Sequence, residues 1–196
     1  MNGKSKDIRT LIAISAALLL CLFLWAKPDA SQAETPSFNT PEAGSIKLLE
    51  DRDYFPVLMK TINDAKHEII MSFFLFKTNG YSDSYTDRVL AALVRAAGRG
   101  VKIRITLEKG DATKDSQTYK SNLETAARLT AKGVDVRFDS PRTTTHTKVA
   151  VIDRRYVFLG SHNLTNSALR YNHELSVFID STSMAMETLH YINSLH

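Results

Sequence analysis

His146-Thr-Lys148-Val-Ala-Val-Ile-Asp153-Arg-Arg-Tyr-Val-Phe-Leu-Gly160-Ser161-His-Asn163 is the stretch whose reading decides the fold. Successive side chains on a strand point to opposite faces, so His146 and Lys148 project together. Val149 to Ile152 follows without a polar break, the pattern of a strand buried on both faces. Asp153-Arg154-Arg155 interrupts the apolar run and Tyr156 to Leu159 resumes it, which predicts two neighbouring strands joined by a tight polar turn. Gly160 and Ser161 end the second strand. With the pair antiparallel, the start of the first strand lies beside the end of the second, and His146 and Lys148 meet Ser161 and Asn163.

An imidazole, an ammonium, a hydroxyl and an amide in one small volume suit a phosphodiester. Imidazole attacks phosphorus or protonates a leaving oxygen near neutral pH. Ammonium and amide donors neutralise the non-bridging oxygens, a task that needs no metal.

The spacing H-x-K-x4-D-x6-G-S-x-N resembles the H-K-D motif of the phospholipase D superfamily, including that family's downstream Gly-Ser-x-Asn. The resemblance covers about residues 45 to 195. It implies a phospholipase D-like α/β fold and a phosphodiesterase working through a covalent phosphohistidine. The catalytic set it implies is His146, Lys148, Asp153, Asn163 and Glu174. His146 is the nucleophile, Lys148, Ser161 and Asn163 hold the substrate phosphate, and Asp153 supports the motif structurally. Glu174, in Asn172-His-Glu-Leu-Ser176, stands where the family places an acid against the other ring nitrogen of the nucleophile.

The chain ahead of this region changes character twice. Lys4, Lys6 and Arg9 precede an uncharged run from residue 10 to 26, which reads as an export signal ending near Ser31-Gln-Ala33. The protein is therefore expected in the periplasm or outside the cell; the alternative is an uncleaved segment 10–26 that anchors it to a membrane. Residues 34–44 carry two prolines and no periodicity and read as a linker. The folded phosphodiesterase domain is expected over 45–196, enough chain for one full core.

Within that domain strands and helices alternate. Strands are expected at Ile46–Glu50, Glu68–Phe76, Val101–Leu107 and Val134–Phe138, then the two motif strands and Leu175–Ile179. Apolar residues recur at helical spacing from Tyr54, from Val89 and from Leu123, and a last helix starts near Thr182. This order predicts a mostly parallel mixed sheet covered by helices on both faces.

Cys21, inside the apolar run, is the only cysteine, and His67, His162, His173, His190 and His196 show no ligand-like spacing. No cofactor and no structural metal is expected.

A second H-x-K does not occur, so the chain holds half of the two-histidine site that the resemblance calls for. One histidine attacks phosphorus and another protonates the leaving group, which implies a homodimer sharing one active site.

The motif does not name what is esterified to the phosphate. Net charge is +4, falling to +2 once Lys4, Lys6, Arg9, Lys27, Asp7 and Asp29 leave with residues 1–33, so only a local patch could favour a polyanion. Lys109, Lys114, Lys120, Arg142, Arg154, Arg155 and Arg170 are candidates for such a patch, with Tyr119, Tyr156 and Tyr171 available for base stacking. The loops 77–87, 108–120 and 139–145 are polar, where a lipid hydrolase wants an apolar rim. The reading taken is a metal-independent nuclease acting on DNA or RNA. The alternatives are a phospholipase D or cardiolipin-type hydrolase releasing phosphatidate, and a non-catalytic phosphate-binding module. The last needs Lys148 and Asn163 but has no use for a nucleophile with an acid partner.

Overall fold

The computed structural model describes residues 44–110, 116–140 and 142–195. The expected export segment, and all but the last residue of the expected linker, lie outside the described residues.

Strand β1 (Ile46–Glu50) leads through a 3-10 turn (Asp51–Asp53) into α1 (Tyr54–Asp64), and β2 (Glu68–Phe73) follows. Then come α2 (Tyr85–Gly98), β3 (Lys102–Leu107), α3 (Gln117–Thr130) and β4 (Asp135–Phe138). The motif forms β5 (Lys148–Ile152) and β6 (Tyr156–Gly160), and the chain continues through α4 (Asn166–Arg170), β7 (Leu175–Asp180) and α5 (Thr182–Asn193). Three of the helices begin on hydroxyl caps: Ser116, Thr165 and Ser181 each accept from the amide three residues on.

The seven strands make one sheet in the order β1-β7-β6-β5-β2-β3-β4. The mixed α/β sheet with helices on both faces is as expected, but its pairing is not mostly parallel. Strands β1, β2, β3, β4 and β6 share a direction, yet the reversed β5 and β7 sit between them. Only β2–β3 and β3–β4 are parallel; β1–β7, β7–β6, β6–β5 and β5–β2 are antiparallel. The turn between β5 and β6 is too short for a crossover, which makes that pair antiparallel.

Burial explains the layers. Every residue of β5 is buried, with Ala150 and Ile152 facing one core and Val149 and Val151 the other. The first core packs α1, α2, α3 and α4 on one face through Leu58, Ile62, Leu93, Leu129 and Leu169. The second uses α5 alone, through Ala185, Leu189 and Ile192. Helix α5 leaves Ile46, Leu48, Leu159 and Leu175 uncovered on its face.

Candidate active site

One end of the sheet gathers the amino ends of β5 and β7 and the carboxyl ends of β2, β3 and β6. Lys148 is paired with Phe73 across β2, Val149 with Leu159 across β6, and Gly160 with Ser176 across β7. His146, Lys148, Ser161, Asn163 and Glu174 are all brought to this end.

His146 precedes β5 on an irregular segment whose backbone is fixed on either side. The Thr145 amide donates to Glu108 Oε2 (2.5 Å), and the Thr147 carbonyl accepts from the Phe74 amide (2.8 Å). Between these anchors the His146 ring is exposed, set edge-on to Phe74 with centroids 4.7 Å apart. Phe74 is itself placed by the fully buried Asn122, whose amide donates to the Phe74 and Glu108 carbonyls and accepts from the Phe76 amide. No hydrogen bond engages the His146 ring among the described residues.

Lys148 is 7 % exposed, and its Nζ donates to the His146 carbonyl at 2.9 Å. Burial holds the ammonium below the usual lysine range, with the Glu174 carboxylate opposing the shift. Asn163 is half-buried, and its Oδ1 is buried with no hydrogen-bond partner among the described residues.

Glu174 lies within electrostatic reach of Lys148, but its carboxylate is not on His146. Ser161 Oγ donates to Oε2, and Asn172 Nδ2 donates to Oε1 at 3.1 Å. The expected acid–imidazole contact is therefore replaced, within one chain, by a Ser161–Glu174–Asn172 chain. The Glu174 backbone is clamped by Asp51, whose amide donates to its carbonyl (2.9 Å) and whose Oδ1 accepts from its amide (2.8 Å). The Glu174 amide and the exposed His173 ring hold the Asp51 carboxyl below its usual range.

Asp153 lies at the other end of β5, roughly 17 Å from Lys148 at strand rise. Its carboxylate accepts from the amides of Lys66, His67 and Glu68 at 2.8, 2.8 and 3.0 Å, tying the turn to the start of β2. Among the described residues it has no hydrogen bond at the His146 end. Arg154 and Arg155 go with it and are paired with Glu68 and Asp180, so they do not line the site. Tyr156 is stacked on Phe178 within the sheet and Tyr119 meets Phe138 edge-on, while Tyr171 is 67 % exposed. Lys114 lies outside the described residues.

Three positioning residues escape the sequence pattern. Glu108 is 4 % exposed, and burial beside Asp139 raises its carboxyl. Asp51 holds the Glu174 backbone through its own amide and Oδ1, while Oδ2 meets the His173 ring at 3.1 Å. His162 is fully buried, stacked on Tyr54 at 4.3 Å, with Nε2 donating to the Asp51 carbonyl (2.8 Å) and Nδ1 against Ser176 Oγ (2.7 Å). The sole hint in the sequence is that His162 stands between Ser161 and Asn163.

A family model described as cardiolipin synthase, phospholipase D-like domain, matches residues 58–196. The chain belongs to the phospholipase D superfamily, whose members are phosphodiesterases. It is 29 % identical over 157 residues to phospholipase D of Rickettsia prowazekii, covering 80 % of this chain and 65 % of that one. It is 33 % identical over 134 residues to cardiolipin synthase B of Escherichia coli, covering 62 % of this chain and 30 % of that one. The chain thus spans just under two thirds of the one relative and less than a third of the other. In three dimensions it resembles Nuc of Salmonella typhimurium, a phospholipase D family member, with a TM-score of 0.64 at 23 % identity over 77 % of this chain and 93 % of that one. NucT of Helicobacter pylori gives 0.59 at 19 % identity over 77 % and 94 %. These two likenesses concern the fold.

Proposed function

We propose that the chain is a metal-independent phosphodiesterase that cleaves nucleic acid as a homodimer with one shared active site. The observation that carries the chemistry is the His146 ring, exposed and without a hydrogen bond among the described residues, held between two anchored neighbours beside the Lys148 ammonium. A nucleophile needs a free lone pair and a fixed backbone, and this segment has both. Asn163 Oδ1, an acceptor, has no hydrogen-bond partner among the described residues, and Nδ2 of the same side chain is the atom able to donate to a phosphate oxygen.

In the proposed reaction a ring nitrogen of His146 attacks phosphorus and the bond to the leaving oxygen breaks. Lys148 and Asn163 offset the charge on the non-bridging oxygens. The leaving oxygen takes a proton from the partner subunit's His146. Water then attacks the phosphohistidine, gives up its proton to the same base, and releases a phosphomonoester. One motif per chain makes the second histidine a matter of two-fold symmetry.

The lipid reading has its own support in relatives named phospholipase D and cardiolipin synthase B, and in the exposed Leu48, Leu159 and Leu175. The leucines weigh less than they first suggest. Leu159 is paired with Val149, so it shares the α5 face of the sheet, whereas Lys148 faces the other way with Phe73. Incubating the full chain in excess chelator with plasmid DNA, RNA and phospholipid vesicles side by side tests the choice. Nucleic acid is expected to be cut and the His146→Ala protein to be silent. Release of phosphatidate with nucleic acid untouched would overturn the nuclease reading.

A further inference from the structure

Beside the candidate site, two arginines lie over a pair of stacked rings and a third, from another element, is hydrogen-bonded to one of them. Phe55 of α1 and Tyr85 of α2 are 4.2 Å apart at 20°. The Arg88 guanidinium lies 4.9 Å from the Phe55 ring and 5.4 Å from Tyr85. Arg170, at the end of α4, sits 5.4 Å from both Tyr85 and Tyr171. Arg52 closes the group by donating from Nε to the Arg170 carbonyl at 3.3 Å.

All three arginines are exposed, and none is paired with a carboxylate among the described residues, whereas Arg128, Arg137, Arg154 and Arg155 each are. A guanidinium laid on an aromatic face keeps its N–H edge free and gives up less side-chain entropy when it grips two oxygens of a phosphate. The group adjoins the site by covalent neighbours at both ends. Arg52 follows Asp51, which clamps Glu174, and Tyr171 lies three residues before Glu174.

We propose that Arg52, Arg88 and Arg170, with the exposed ring of Tyr171, bind the phosphates and one base of a single-stranded nucleic acid next to the scissile bond. This rests on the nuclease reading and gives it a substrate form. Three guanidiniums match a ligand with repeating phosphates, whereas a phospholipid headgroup brings one phosphodiester, or two in cardiolipin. Tyr171, at 67 % exposure, offers a ring face to a base of any sequence.

The test is binding of a fluorescein-labelled oligothymidylate 12-mer to full-length protein carrying His146→Ala, followed by anisotropy across a range of NaCl concentrations. Arg88→Gln/Arg170→Gln is expected to weaken binding and to flatten the plot of log affinity against log salt by about 1.4, roughly 0.7 for each lost contact. Tyr171→Ala should lose about tenfold in affinity with the slope unchanged. Arg170→Lys should keep the slope. The exposed Tyr171 cannot unfold the protein, and thermal melts check the arginine variants. Unchanged affinity and slope in a folded double variant would overturn the proposal, as would undetectable oligonucleotide binding by the parent. It would equally be overturned if the arginine changes abolished binding to phosphatidylglycerol vesicles and left the oligonucleotide bound. Hydrolysis of bis(4-nitrophenyl) phosphate by the unmutated chain reports the His146 site separately, because that substrate has no flanking strand to reach the arginines. Its absence would count against the active-site reading, not against the strip.

Discussion

Gly160 and Ser176 face each other across β6 and β7 so closely that a β-carbon at position 160 would overlap the Ser176 α-carbon, β-carbon and hydroxyl. The glycine of Gly-Ser-x-Asn is therefore required by contact between two strands, since its φ is not in the left-handed region. Ser176 meets His162, and His162 meets the Asp51 carbonyl, so this contact also fixes the clamp on Glu174. Gly160→Ala is expected to cost about 1–3 kcal/mol of stability, as overpacking does. Urea unfolding measures it, and a variant as stable as the parent would show that β6 and β7 can part freely.

The far end of β5 makes its own prediction. Asp153 and Arg154 both have positive φ, at 52° and 53°, which residues other than glycine adopt only when surroundings hold them. Burial raises the Asp153 carboxyl, but the amides of Lys66, Glu68 and His67 more than offset this and leave it below the usual carboxylate range. A depressed carboxylate stabilises the fold fully above its unfolded value, near 3.9, and loses that contribution as pH falls through the folded value. Asp153→Ala should cost on the order of 2–3 kcal/mol at neutral pH, since it strips an anion from three amides. The difference from the parent should shrink below about pH 4. Melts at pH 7 and pH 3 check both statements.

How much of this was legible beforehand varies residue by residue. The uninterrupted run Val149–Ile152 announced a strand buried on both faces, and Asp153-Arg154-Arg155 announced its turn. Neither could reveal that β5 lies antiparallel against β2, because periodicity says nothing about a partner some eighty residues away. Helix α4 is too short to show a period, and β2 ends at Phe73 where the apolar run continues to Phe76, since Phe74–Phe76 leaves the sheet to meet Asn122 and Leu164. Lys148, Ser161 and Asn163 fall at one end of the sheet, where the antiparallel pairing of β5 and β6 puts them. Glu108 and Asp51 were hidden because each works by accepting or donating a hydrogen bond at a distant backbone amide or carbonyl, an act that leaves no spacing in the sequence.

Lys148 gives a pH prediction. In the proposed reaction it serves phosphate only as an ammonium, and its folded value is below the ordinary lysine range. The alkaline limb of kcat/KM should therefore fall at lower pH than an unperturbed lysine would allow. Lys148→Arg should keep its charge throughout and remove that limb, at a reduced rate. A limb unmoved by Lys148→Arg would assign the titration to another group.

Subunit mixing tests the shared site. With wild-type and His146→Ala chains exchanged at random, a mixed dimer keeps one histidine of two and loses either attack or protonation. Residual activity should follow the square of the wild-type fraction. A linear dependence would mean that each chain is complete.

The most direct measurement is capture of the covalent intermediate. Full-length protein is mixed in stoichiometric amount with a substrate labelled at the scissile phosphorus, quenched in alkaline denaturant where phosphohistidine survives, and mapped by peptide mass spectrometry. The account predicts the label on the peptide containing His146, appearing before product and absent from His146→Ala. Product formed in the first turnover with no label on the protein, or label on any other residue, would contradict it.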